Sequence, residues 1–324
     1  MCVTCGCSDD SETTITNSQT GEKIEMKTDH HQPHSHTHTL ADGTVVEHSH
    51  PHSHTHEHPT SPHEEHTHTL ADGTVVTHSH SNSHSHSLTS EVPKTETKVS
   101  EIHAKIHGNT IELEQAILGK NNLIAAQNRG WFKGRNILAL NLVSSPGSGK
   151  TTLLTRTIND LKSKLTFSVI EGDQETVNDA EKIRSTGCNV VQINTGTGCH
   201  LEAAMVERGC EELNPPLNSI VMIENVGNLV CPALFDLGEK AKVAILSVTE
   251  GEDKPIKYPH MFRASQVMIL TKIDLLPYVQ FDVQRCLDYA RQVNPKMQIF
   301  QVSASTGEGL EAWYNWLESQ SQQL

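Results

Sequence analysis

Val143-Ser144-Ser145-Pro146-Gly147-Ser148-Gly149-Lys150-Thr151-Thr152 follows the apolar run Ile137 to Val143 and ends in Gly-Lys-Thr-Thr. A buried strand, a glycine turn and a helix start, in that order, make an anion cradle. Backbone N–H groups converge on phosphate oxygens, and the helix N-terminus adds partial positive charge. Gly147, Ser148 and Gly149 form the turn, with Thr152 completing the nucleotide-binding stretch. Lys150 is placed to reach the β- and γ-phosphates and the Thr151 hydroxyl to ligate Mg2+. The stretch departs from G-x-x-x-x-G-K-T at its first position, where Ser144 stands for glycine.

Downstream, short apolar runs at 137–143, 167–171, 189–193, 219–223, 243–248, 266–270 and 297–302 alternate with helical segments. This is the pattern of a doubly wound, mostly parallel α/β sheet. Ligands of such sheets collect at the carboxyl ends of the strands. Thr271-Lys272-Ile273-Asp274 follows one of these runs and resembles the guanine-reading N-K-x-D of GTPases, with Thr271 in place of Asn. The Asp274 carboxylate accepts hydrogen bonds that guanine supplies and adenine does not, while the Lys272 stem covers the ring. Ser303 and Ala304 follow the last strand and resemble the Ser-Ala motif whose backbone contacts the guanine oxygen. These signals favour GTP over ATP. Asp173 in Glu171-Gly172-Asp173, Asp179, and Glu224 at the close of the fourth strand fit switch regions. With Lys150 they are the catalytic candidates: carboxylates there orient Mg2+ and its waters or position the attacking water, although helix capping or plain surface exposure is an ordinary use of each.

Metal-ligand chemistry appears at three places. Cys2, Cys5 and Cys7 lie within the first seven residues, and three thiols so close can wrap one soft or borderline ion such as Ni2+, with the α-amino group as a further ligand. Residues 30 to 86 hold 18 of the 22 histidines, a tract whose alternating polar residues cannot build a core but can bind divalent ions through neutral imidazole. Within it His36 to Val46 recurs as His66 to Val76, and Asp42-Gly43 and Asp72-Gly73 between β-prone runs predict a hairpin with a primed turn in each copy. Cys199 and His200 follow the third strand, where a helix N-terminus is expected, and Cys231 lies seven residues after Glu224. Three ligands are too few for a closed structural site, so a second subunit or solvent is expected to complete the shell. A buried cysteine pair with a capping histidine is the plainer alternative. Cys188, Cys210 and Cys286 read as packing residues.

Composition bounds the rest. A formal net charge of −14 speaks against sequence-independent nucleic-acid binding. No apolar run reaches the roughly 18 residues of a membrane span, so a cytoplasmic protein with thiols rather than disulfides is expected. The expected organisation is a Cys metal motif at 1–7, a disordered His-rich region and linker at 8–98, and a P-loop GTPase domain with one or two leading helices at 99–324.

Taken together, Cys2-x-x-Cys5-Gly6-Cys7, the His tract, Ser144 to Thr152, Glu171-Gly-Asp173, Gly198-Cys-His200 and Asn225-Val-Gly-Asn-Leu-Val-Cys231 closely resemble the HypB family of hydrogenase nickel-incorporation GTPases. The resemblance covers the terminal Cys motif and about 105 to 320. It implies a dimerising P-loop GTPase of the signal-recognition and MinD-like class, forming a GTP-dependent homodimer. Such proteins deliver nickel to the precursor of the [NiFe]-hydrogenase large subunit together with the small metallochaperone HypA. It further implies tight nickel binding at Cys2, Cys5 and Cys7, and a Ni2+ or Zn2+ site at Cys199, His200 and Cys231 on the dimer interface. A urease-type nickel GTPase and a metal-storage protein with a vestigial nucleotide site are the competing readings.

Overall fold

The computed structural model describes residues 13–17, 20–21, 23–25, 34–39, 45–50, 66–69, 75–78, 97–173 and 178–323. The chain divides into two units, one holding residues 1–27 and 103–324 and the other residues 28–102.

All seven predicted strands of the larger unit form, as β7 (Leu138–Ser144), β8 (Phe167–Asp173), β9 (Asn189–Asn194), β10 (Ile220–Glu224), β11 (Ala241–Ser247), β12 (Val267–Thr271) and β13 (Gln298–Gln301). They pair in parallel in the order β13-β12-β11-β7-β10-β8-β9. Every residue of β7, β10, β11 and β12 is buried, as expected where helices cover both faces of a parallel sheet. Because side chains alternate, Leu138, Leu140 and Leu142 pack with Leu154 and Ile158 of α2 (Lys150–Leu161) and with Trp313 and Leu317 of α8 (Leu310–Ser321). Ile137 and Ala139 share the opposite layer with Phe132 of α1 (Thr97–Gly134) and Val206 of α4 (Ala203–Leu213). After α5 (Lys254–Lys257) in the chain, Phe262 of α6 (Pro259–Ala264) and Cys286 of α7 (Val283–Val293) close that layer towards β13.

One feature departs from the expectation for residues 8–98. β1 (Thr14–Asn17) pairs antiparallel with β9, and β2 (Lys23–Glu25) pairs with β1, so the sheet has nine strands among the described residues. Ile15 is only 2% exposed and joins Val191, Ile193 and Leu201 in the core. Burying such a side chain stabilises by roughly 1.5–3 kcal/mol, which is why a stretch inside a polar segment still joins the sheet. The one or two leading helices expected are a single helix, α1, which runs unbroken through Gly108 and Gly119.

In the smaller unit each repeat forms the predicted antiparallel pair: β3 (His34–Thr39) with β4 (Val45–His50), and β5 (His66–Thr69) with β6 (Val75–His78). The register sets His34 opposite His50, His36 opposite His48 and His66 opposite His78. The turns carrying Asp42-Gly43 and Asp72-Gly73 lie outside the described residues, as do Cys2, Cys5 and Cys7.

Candidate nucleotide and metal site

The glycine turn sits between β7 and α2, at the carboxyl edge of the sheet. Gly147 and Gly149 have φ of 75° and 89°, left-handed values that glycine adopts at little cost. Ser144 does not fall among the positive-φ residues; it is buried at the end of β7 and its hydroxyl donates to the Ser145 carbonyl at 2.9 Å. Serine therefore fits where the motif usually has glycine. Two residues of the predicted base-reading motif brace the turn. The Thr271 hydroxyl donates to the Ser148 carbonyl at 2.6 Å, and Lys272 Nζ donates to the Gly147 carbonyl at 2.7 Å. Thr271, which stands where the motif has Asn, thus ties β12 to the phosphate turn. Asp274 stands in the 3-10 turn that follows, Ile273–Tyr278. Ser303 is fully buried and its hydroxyl accepts from Thr306 N, while the Ala304 carbonyl accepts from Arg156 at 3.0 Å.

Of the predicted catalytic groups, Lys150, Asp179 and Glu224 converge beside Thr151. Thr151 Oγ1 donates to Glu224 Oε1 at 2.7 Å and lies 3.0 Å from Asp179 Oδ2, and Lys150 Nζ is 3.4 Å from Glu224 Oε1. Asp179 lies in the first turn of α3 (Asn178–Arg184), and Asp173 ends β8. Glu171, quoted in the motif but not singled out as a candidate, stands directly opposite Glu224 in the β8–β10 register. Burial, with the Glu224 and Asp173 charges adding to it, pushes the Glu171 carboxyl up to about 9. Burial pushes Asp179 the same way, but the hydrogen bond from Lys182 and the nearby Thr151 hydroxyl outweigh it and hold Asp179 below the usual carboxylate range. Glu171 Oε2 and Glu224 Oε2 are buried with no hydrogen-bond partner among the described residues. An oxygen-rich set with unsatisfied acceptors beside a threonine hydroxyl suits a hard cation such as Mg2+.

Cys199, His200 and Cys231 also come together, their ligand atoms all within 4.8 Å of one another. Cys199 Sγ is 3.6 Å from His200 Nδ1, and the His200 ring lies against Phe235 with centroids 4.0 Å apart. His200 Nε2 is buried with no hydrogen-bond partner among the described residues, and burial lowers the imidazole to about 4, leaving it neutral and able to ligate. The expected helix N-terminus is displaced: α4 begins at Ala203, so Cys199 and His200 occupy the turn before it. The Ala203 N–H is instead capped by Asn121 Oδ1 of α1 at 2.9 Å. Cys231 opens a short 3-10 turn, Cys231–Ala233, flanked by the exposed side chains of Val230 and Leu234. Cys210 and Cys286 are buried and Cys188 partly so, and burial raises each thiol to about 12, in keeping with packing roles.

Asn225, whose part was not legible in the sequence, joins the two clusters. Its backbone oxygen accepts from Lys150 Nζ at 2.7 Å, and its Oδ1 accepts from the N–H of Leu201, next to His200, at 3.1 Å. Its Nδ2 donates to Asn141, which donates to Glu239. Glu239 pairs with the buried Lys242 at 3.8 Å, and Lys242 donates to the Pro232 carbonyl beside Cys231 at 2.6 Å. Asn228 of the same loop donates to the Cys199 carbonyl. A Cβ on Gly227 would stand 3.1 Å from Pro146 Cγ, so this loop lies directly on the phosphate turn because residue 227 has no side chain.

Residues 138–301 match the family described as CobW/HypB/UreG, nucleotide-binding domain. The chain is 60% identical over 210 residues to the hydrogenase maturation factor HypB of Escherichia coli K12, covering 65% of this chain and 72% of that protein. It is 38% identical over 211 residues to the hydrogenase/urease maturation factor HypB of Helicobacter pylori J99, covering 64% and 86%. Among solved structures, HypB from Archaeoglobus fulgidus aligns with a TM-score of 0.59 at 34% identity, over 63% of this chain and 99% of that one. HypB from Helicobacter pylori in complex with nickel aligns with a TM-score of 0.59 at 37% identity, over 63% and 96%.

Proposed function

Given that this chain belongs to the HypB family of hydrogenase maturation factors, we propose that it is a GTP-hydrolysing nickel carrier in which the nucleotide sets the affinity of a metal site formed by Cys199, His200 and Cys231. The observation that carries this is Asn225, one residue hydrogen-bonded both to the phosphate-turn lysine and to the turn holding His200. An arriving β- or γ-phosphate competes with the Asn225 carbonyl for Lys150. Its release lets the loop from Asn225 to Cys231 shift relative to Cys199 and His200.

In hydrolysis, water attacks the γ-phosphorus and the bond to the β–γ bridging oxygen breaks. Lys150 neutralises charge on the phosphates; Asp173, Asp179 and Glu224 orient the nucleophile and the cation. Thr151 and Glu224 would hold Mg2+, which when bound offsets phosphate charge. Asp274, Lys272, Ser303 and Ala304 select guanine. The Lys150–Asn225 contact, which an arriving phosphate has to displace, supports slow turnover. Nickel, or zinc in its place, is cargo. Family membership supports delivery to the hydrogenase large subunit precursor with HypA, and the exposed Val230 and Leu234 beside a three-ligand site support completion by a second copy in a GTP-dependent homodimer. The paired histidines of the β3–β4 and β5–β6 hairpins support a storage role for the His tract.

The test is a nickel titration of the full chain with GDP and with a non-hydrolysable GTP analogue. The parent should show a nucleotide-dependent change in the weaker metal site of at least fivefold, and Cys231→Ala should lose that site. Equal shifts in the two proteins would sink the switch.

A further inference from the structure

The antiparallel docking of β1 fixes where the N-terminal thiols begin. Thr14 pairs with Asn194, the last residue of β9, while Asn17 pairs with Val191. β1 therefore starts at the carboxyl edge of the sheet, the edge from which the turn carrying Cys199 and His200 departs. Ile15 is 2% exposed in a core cluster that includes Leu201, the residue after His200. Asn17 Nδ2 also reaches the Glu212 carbonyl in α4, at 3.4 Å. The strand is held on two sides.

Chain length does the rest. Paired residues on antiparallel strands lie about 5 Å apart, and the five residues from Asn194 to Cys199 span at most about 17 Å. Thr14 is thus within about 22 Å of Cys199. The seven residues from Cys7 to Thr14 reach about 24 Å, so a terminus anchored at Thr14 can touch the Cys199, His200 and Cys231 cluster of its own chain. Had β1 paired in parallel, the thiols would have left from the opposite edge.

We propose that β1 is a tether that presents Cys2, Cys5 and Cys7 to the Cys199, His200 and Cys231 site of the same chain, so that nickel passes between the two sets of ligands without entering solution. The exchange is a ligand substitution: nickel stays Ni2+, thiols that gain it give up protons, and thiolates that lose it take protons up. The short leash supplies an effective concentration on the order of millimolar. The proposal rests on the nickel-carrier reading above, and its tests are run without nucleotide so that the two can fail separately.

Metal-free full chain is mixed with one equivalent of Ni2+, and the relaxation between the charge-transfer spectra of the two sites is followed at several protein concentrations. The expected result is a first-order rate independent of concentration. Ile15→Asp, which undocks β1, should slow it at least tenfold. A Gly-Ser insertion of about 21 residues between Asp9 and Asp10 leaves β1 intact and lengthens the leash about fourfold, so it should slow exchange by roughly eightfold. A rate proportional to protein concentration would assign the exchange to separate chains and overturn the tether. So would an unchanged rate in both variants. Bis-maleimide crosslinking of the metal-free chain gives a readout that needs no nickel: crosslinks from the N-terminal cysteines to Cys199 should form within monomers and fall in the Ile15→Asp variant, and their equal yield in the two proteins would equally overturn it. If nucleotide leaves metal affinity unchanged, the switch fails while these results stand.

Discussion

The ammonium group of Lys150 donates to the backbone oxygen of Asn225 at 2.7 Å while lying 3.4 Å from Glu224 Oε1. The residue best placed to neutralise a phosphate is therefore engaged by the loop that leads to Cys231. Lys150→Ala should lower GTP turnover at least a hundredfold, the scale of losing one charge-stabilising group. Nickel binding at Cys2, Cys5 and Cys7 should be untouched. Phosphate release and a nickel titration on the same variant check both; loss of tight nickel binding would show that the sites are not separable.

Asn225 is 1% exposed and its side chain serves Leu201, Val226 and Asn141. Asn225→Ala keeps the carbonyl that Lys150 uses but removes the side-chain link to the metal turn. The expected outcome is near-parental GTP affinity with a nucleotide effect on metal affinity reduced to within twofold, where coupling between sites ordinarily amounts to about 5–150-fold. Isothermal titration of Ni2+ with each nucleotide measures it. A parental nucleotide effect in Asn225→Ala would move the coupling elsewhere.

Glu171 carries a pH signature. Its carboxyl is raised from 4.5 to about 9 by burial first and by Glu224 and Asp173 next. Between those two values the folded chain holds a proton that the unfolded chain has lost. Stability from this group is complete below 4.5 and declines as pH rises through the window, by up to about 1.4 kcal/mol per pH unit. Glu171→Gln cannot lose that proton. Urea unfolding without metal or nucleotide at pH 6, 7 and 8 should show the variant gaining on the parent at each step; parallel curves would mean that Glu171 is ionised throughout.

Asp274 tests the base. Asp274→Ala removes two hydrogen bonds to a charged acceptor, each worth about 1.5–3 kcal/mol. GTP affinity should fall roughly a hundredfold or more while ATP affinity, weak at the outset, stays put. Competition binding against a fluorescent GTP analogue decides between the two bases, and an equal loss for both would remove Asp274 from base recognition.

The seven runs of apolar residues after Asn136 became seven parallel strands, most within two residues of their expected bounds. Burial on both faces leaves a local signature in the sequence, and so does a turn that needs Gly147 and Gly149 at positive φ. The trio of Cys199, His200 and Cys231 was also legible, because the ligand types are chemically distinctive and each follows a strand end. Glu171 was not singled out: its unusual carboxyl depends on Glu224, placed opposite it only when β8 and β10 pair. Asn225 was quoted in a motif without a role of its own, since its bonds to Lys150 and Leu201 run to distant parts of the chain.

What the sequence determined by itself is thus the glycine turn, the order of strands and helices along the chain, and which side chains carry chemistry suited to phosphate, guanine or metal. These follow from local spacing and from the chemistry of single residue types. The tertiary structure alone decided which of them touch. Thr14 to Asn17 is a short run in a polar segment with no local mark of burial, and it becomes a strand only because β9 offers an unpaired edge and the core accepts Ile15. Pairing between remote segments is set by the surface that the rest of the fold presents. The tether, the Lys150–Asn225 link and the Glu171–Glu224 pair therefore appear only once the sheet has formed.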